Sequence, residues 1–215
     1  PERVAELERA VAKWEAILRD ETAPGEPGLA LALTNKSADV HALYTPRTQE
    51  GLLRLVMTMP HGILAMSRTM PGLVSTSTNL AAIQCNETSA FILTSQRSDI
   101  QTQLEAAAQT VRASLEIAGA SYRFVREYPA WTPRPDSAIL QRLVAEITRQ
   151  FPDRPVTVGA IHAGLECGVI GSKQAGMDMV SFGPDIQLAH TPQEKVHIAS
   201  AGRAWTFLLT VLAGN

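Results

Sequence analysis

The side chains best suited to chemistry lie in three short clusters near the C-terminus: His162-Ala-Gly-Leu-Glu166-Cys-Gly168, Met177-Asp-Met-Val-Ser-Phe-Gly183-Pro184 and His190-Thr-Pro-Gln-Glu194-Lys-Val-His197. Neutral imidazole is the commonest metal ligand and a good proton carrier. His190, in a loop after Gly183-Pro184, could play either part, or be an ordinary surface-loop histidine. Glu166 follows His162 by four residues, so a helical turn would set both on one face. A carboxylate there could hold a substrate amine or a metal, act as a general base, or sit solvated at a helix start. Cys167 invites a thiol nucleophile paired with His162. A five-residue spacing on a helix does not bring the two together, so a small buried filler is the better reading. Arg97 closes a strand-like run and could fork onto a carboxylate, although an edge arginine is also a common solvated charge. Gly168-Val-Ile-Gly171-Ser172-Lys173 has neither the order nor the spacing of a phosphate loop. A hydrolytic metal site needs three or more ligands per ion and a base, and that set cannot be assembled from this sequence.

The elements that must position these groups are readable from periodicity. Val156 to Ile161 leads into His162, and Met177 to Phe182 leads into Gly183. Both runs are expected to be buried strands whose carboxyl ends carry the site, as in open α/β sheets. Helix (Ser137 to Gln150), strand, helix, strand, loop and helix (Ile198 to Ala213) alternate through this half, the α/β pattern. Upstream, Glu2 to Glu21 repeats apolar residues at three and four, an amphipathic helix ended by Pro24-Gly25-Glu26-Pro27-Gly28. Leu29 to Leu33 is expected to be a short strand. Thr45-Pro46 starts a helix that Pro60-His61-Gly62 closes. Leu80 to Cys85 and Ala90 to Thr94, joined by Asn86-Glu87-Thr88-Ser89, form a hairpin. Ser98-Asp99 is expected to cap a helix over Ile100 to Ala118, and Tyr122 to Tyr128 to add a strand, giving an α+β layer. Three prolines between Pro129 and Pro135 mark a domain boundary.

Composition excludes several classes. The 215 residues are 45% hydrophobic and 19% charged with a net charge of -2, so nothing draws the chain to nucleic acid or to an anionic membrane. Trp205 to Ala213 is too short to span a bilayer and is expected to be a buried helix. Cys85 and Cys167 make no disulfide framework, which fits a reducing, cytoplasmic setting. The sequence opens on Pro1-Glu-Arg-Val without an initiator Met, and an amphipathic helix begins at once, so a piece of a longer protein is expected.

Together these clusters resemble the aminoacyl-histidine dipeptidases, carnosinase-like enzymes of the co-catalytic zinc peptidase superfamily. The matching segments are Ile161 to Gly168, Met177 to Pro184 and His190 to Ile198, with Trp205 in the last helix. Weaker similarity runs through Tyr128-Pro-Ala-Trp131, Arg97-Ser98 and Thr78-Asn79-Leu80. The resemblance implies an α+β lid of ferredoxin-like type over residues 1–128, incomplete at its N-terminus, followed by the C-terminal part of an α/β catalytic domain over 129–215. It implies zinc, two ions in the parent enzyme, with His190 as the last metal ligand. Arg97 would hold the substrate carboxylate, and His162 and Glu166 would line the substrate-facing loop. The family's other metal ligands and its catalytic glutamate precede the lid and have no counterpart here. The parent is therefore expected to hydrolyse small peptides such as Xaa-His, while this chain alone is expected to be inactive and to hold zinc weakly or not at all. The lid is expected to form a homodimer. Two rivals stand beside this reading: a naturally short, non-catalytic dimerising or peptide-binding protein, and a thiol hydrolase built on Cys167 and His162.

Overall fold

The computed structural model describes residues 3–34, 42–125 and 128–214, and its contacts divide the chain into two compact units, Pro1–Thr45 and Pro46–Asn215. The first unit is built on α1 (Val4–Thr22). Its apolar stripe is real but only partly covered: Val11, Ile17 and Leu18 are half-buried, no residue of α1 is fully buried, and Trp14 is 55% exposed. Leu29 to Leu33 forms no strand, because a five-residue apolar run acquires that structure only when a ladder partner exists, and none pairs with it among the described residues.

The second unit starts with α2 (Pro46–Thr58), with Pro46 at its first position. There follow β1 (Gly62–Met66), β2 (Val74–Cys85) and β3 (Ala90–Ser98), an antiparallel sheet in the order β1-β2-β3. The β2–β3 hairpin turns where the sequence places it, and Asn86 Oδ1 accepts from the Thr88 and Ser89 amides. Strand β1 was not foreseen. Gly62, at φ +96, turns the chain into the strand after α2 has ended at Thr58, and the short apolar run that it opens pairs with β2.

Helix α3 (Gln101–Ile117) lies across the hairpin. Leu55 and Met59 of α2 and Val111 of α3 form a small core, with Leu80, Ile92 and Leu115 packed against it. Alternation along β3 leaves Ile92, Thr94, Gln96 and Ser98 half-buried and turns Phe91, Leu93, Ser95 and Arg97 outward, so α2 and α3 cover one face only. Asp99 does not cap α3. Its carboxylate accepts from Ser75 Oγ at 2.5 Å, its amide donates to the Ser75 carbonyl, and Ile100 takes the cap position without a side-chain bond. Tyr122 to Val125 forms no strand; Tyr122 instead stacks edge-on against Phe124 and beneath the Arg112 guanidinium, while residues 126 and 127 of that expected strand lie outside the described residues.

The contacts do not divide the chain at the prolines. Residues 129–135 run as a strap held to the sheet corner: Thr132 Oγ1 donates to the Asp99 carbonyl at 2.6 Å and the Ala130 amide to Gln101 Oε1 at 3.3 Å. Beyond the strap, α4 (Ala138–Gln150) begins with Ser137, whose hydroxyl accepts from the Leu140 amide. Next come α5 (Glu166–Lys173), the two-residue strands β4 (Ile186–Gln187) and β5 (Lys195–Val196), and α6 (Ile198–Leu212). Helices α4 and α6 are joined by Gln150 Nε2 donating to Thr210 Oγ1 at 2.7 Å. The chain is thus mixed helix and sheet.

Two expected strands did not form. Val156 to Ile161 and Met177 to Phe182 carry no ladder among the described residues, and Ile161 is 63% exposed. Parallel strands obtain their partners from distant segments, and no neighbouring strand reaches these runs here. The Trp205 to Ala213 stretch is helical but only one-sided: Phe207 is buried against Phe182 at a centroid distance of 5.0 Å, whereas Trp205 is 61% exposed.

Two glycines of the His162 cluster are required by the strap. A Cβ at Gly168 would stand 2.4 Å from the Pro129 carbonyl oxygen, and one at Gly164 would stand 2.5 Å from the Tyr128 ring. At Gly171 the nearest atom is the flexible end of Met179, at 2.9 Å. Helix propensity alone favours alanine over glycine at either helical position by about 1 kcal/mol. We therefore expect Gly168→Ala to lose roughly 1–3 kcal/mol in urea unfolding, the cost of overpacking. Gly171→Ala should be neutral or stabilising. Equal effects from the two would mean that the strap does not rest on α5.

Candidate functional site

The ladder sets Ser77 of β2 opposite Arg97 of β3, and partners in an antiparallel pair project from the same face. That is the face without helices. On the other face the neighbouring pair Thr76–Ser98 is hydrogen-bonded at 2.9 Å, and Thr76 also reaches Gln103 of α3. The segment before α5 approaches the open face and places His162 Nε2 2.6 Å from Ser77 Oγ, across 85 residues of chain. Arg97, Ser77 and His162 therefore form one polar group.

Its electrostatics follow from that placement. Burial lowers the His162 pKa and the Arg97 guanidinium lowers it further, while Asp99 and a hydrogen bond to the Val74 backbone act the other way. His162 is held towards the neutral form. Arg97 is exposed and makes no ion pair among the described residues. A guanidinium with its donors open, flanked by a hydroxyl and an imidazole, is a carboxylate receptor in form.

The other sequence candidates fall elsewhere. Glu166 is exposed in the first turn of α5, but that helix starts only at Glu166, so His162 lies in the preceding loop and the two do not share a helical face. Among the described residues Glu166 makes no hydrogen bond or ion pair to Arg97 or His162. Cys167 is buried, and burial together with Glu166 pushes its thiol pKa up, the wrong direction for a nucleophile. With His162 committed to Ser77, the thiol-hydrolase pairing is not assembled. His190 is exposed at the tip of the β4–β5 hairpin with φ +66, its amide bonded to Glu194 Oε2 at 2.7 Å. No group of three His, Cys, Asp or Glu side chains gathers for a metal among the described residues. The described residues thus do not by themselves fit a zinc site. A depression of about 260 Å³ opens between the strap and α5, lined by Trp131, Arg134, Cys167, Met177 and Met179 among others. It gathers no acid–base pair.

Asp178 does structural work in the second cluster. Its carboxylate accepts from the Ile139 amide at the start of α4 at 3.2 Å, 39 residues upstream. The Ser137 hydroxyl and then that amide hold its pKa below the usual carboxylate range. Reasoning from sequence missed Ser77, which stands in no motif, and read Asp99 only as part of a helix cap.

The shift at His162 has a sign in stability. Its folded pKa lies below the unfolded value of about 6.5, so the native state is favoured above that pH and loses the benefit as pH falls from there through the folded value. Thermal unfolding followed between pH 7.5 and pH 5 should show this decline, and His162→Gln should flatten it. A decline unchanged in the variant would assign it to another group.

No family model matches the chain. It is 32% identical over 211 residues to the cytosol non-specific dipeptidase of Escherichia coli (strain K12), covering 98% of this chain and 43% of that protein. Its fold matches the crystal structure of aminoacylhistidine dipeptidase from Vibrio alginolyticus with a TM-score of 0.74 and 27% identity, over 99% of this chain and 43% of that one. No helix among the described residues is long and apolar enough to cross a membrane. The chain spans less than half the length of these proteins, and over that span it is similar to both dipeptidases.

Proposed function

We propose that these residues supply the carboxylate-recognising side of a dipeptidase. The observation that carries this reading is Arg97, exposed and unpaired among the described residues, on the open sheet face beside Ser77 and His162. A dipeptide ends in a carboxylate, and a guanidinium with a neighbouring hydroxyl can grip it through charge-assisted hydrogen bonds. Residues 1–128 would act as a lid, and 129–215 would belong to a catalytic α/β domain. Peptides of the Xaa-His type are the proposed substrates, and the cytosol is the proposed location, after the relatives. Glu166 is proposed to face the substrate from the first turn of α5.

Zinc belongs to this proposal for the parent enzyme only. His190 offers one exposed imidazole, and the remaining ligands and the base would come from outside these 215 residues. The chain alone is accordingly proposed to be inactive. The lid is proposed to meet a second copy of itself, and a purely monomeric species in light scattering at micromolar concentration would count against that.

The carboxylate reading is testable on the chain as it stands. Ala-His should bind and its C-terminal amide should not, as followed by chemical-shift perturbation. Arg97→Met should weaken Ala-His binding by about tenfold or more, the scale of one charge-assisted hydrogen bond. Arg97→Lys should recover part of the loss, since it keeps the charge without the fork. Equal binding of acid and amide would overturn the reading.

A further inference from the structure

Arg97 and His162 occupy one open sheet face, and Ser77 links them: the ladder fixes Ser77 opposite Arg97, and its hydroxyl stands 2.6 Å from His162 Nε2. A guanidinium beside an imidazole opposes a second positive charge. A bound carboxylate removes that opposition, because it neutralises the guanidinium and offers the imidazolium a counter-ion. We propose that His162 is a proton-coupled electrostatic partner of this site: it takes a proton from solvent when a carboxylate occupies Arg97, and Ser77 is the positioning residue that holds the ring where it senses this. The inference rests on the reading of Arg97 as the carboxylate anchor.

The surrounding groups support the coupling. From β3 and the residue after it come Arg97 and Asp99, and both act electrostatically on the ring in opposite senses, the arginine more strongly. Asp99 is bonded by Ser75 Oγ and by no cation among the described residues. From β2 come the uncharged Ser77 and the Val74 backbone. The strap presents Tyr128 against Gly164, two residues from His162, and Glu166 follows on the ring's own segment. Arg97 is thus the main charge that keeps the ring neutral, and it is also the group a carboxylate would cover. Ligand and proton consequently bind with positive coupling, and the same factor appears whichever is added first.

The test follows the His162 ring resonances of the intact chain by NMR through a pH titration. Saturating Ala-His should raise the His162 midpoint by about one pH unit, and Ala-His amide should leave it in place. Binding of Ala-His should correspondingly tighten up to about tenfold as pH falls through the shifted midpoint. In the ligand-free chain, Ser77→Ala should move the ring nitrogen resonances towards those of a solvated histidine, and Ser77→Thr should restore them. If Ala-His perturbs the Arg97 side-chain resonances while the His162 midpoint stays fixed, the coupling is overturned and the carboxylate reading survives. If Ala-His perturbs no resonance, both fall. If Ser77→Ala leaves the His162 ring unchanged, Ser77 does not position it.

Discussion

The rest of the second unit depends on how closely the strap lies on α5. The Pro129 carbonyl and the Tyr128 ring occupy the space that side chains at positions 168 and 164 would fill, so the His162 cluster must run directly beneath the strap. The strap is in turn fixed to the sheet corner, where the Asp99 carbonyl and the Gln101 side chain accept from it. With both ends of this path held, the loop before α5 has little freedom, and His162 comes to rest on Ser77. A long-range contact between two polar side chains would ordinarily repay little of the entropy lost in making it. Here the backbone packing has already met most of that cost.

The polar group on the open sheet face owes its composition to a defect in the ladder. From the turn outward, Cys85 faces Ala90 and Ala82 faces Leu93; the irregularity between Leu80 and Ala82 then shifts the register by one. An unbroken register would set Thr78 opposite Arg97. A one-residue slip turns every later side chain to the other face, and bulges commonly re-aim side chains near functional sites. The shift allows Thr76 and Thr78 to be buried with Ser98 and Gln96 under α3 while Ser77 accompanies Arg97 on the free face. It also leaves Asp99 bound to Ser75, so that no acid among the described residues neutralises Arg97.

The half beyond the strap is organised by helix ends. Asp178 sits on the first amides of α4, Ser137 caps the same helix, and His197 accepts from the Ser200 amide at the start of α6. These contacts hold the Met177 to Phe182 segment against α4 and, through Phe182, against Phe207 of α6 without any strand pairing. This explains why an apolar run that reads as a strand keeps a defined course without becoming one. Its neighbour, Val156 to Ile161, has no comparable anchor among the described residues and stays more exposed.

Local chemistry fixed much of the fold in the sequence. Pro46 at a first helical position, the Asn86 to Ser89 turn, Ser137 before an apolar periodic stretch and the spacing along α3 each specify an element through interactions within a few residues, and those elements are where the periodicity puts them. The candidate site was legible only in part. Arg97 and His162 are conspicuous by type, but 65 residues of chain separate them, and neither periodicity nor motif says that they meet. Glu166 showed the limit of spacing: four residues imply a shared face only if the helix begins early enough, and α5 begins only at Glu166. Ser77 could not be found from the turn outward, because the register shift between Leu80 and Ala82 turns it towards Arg97 and no turn or motif residue marks that shift. Ladder partners, register and side-chain encounters across long loops depend on which surfaces can be buried together. That is a property of the whole packed unit, and only the tertiary structure decided it.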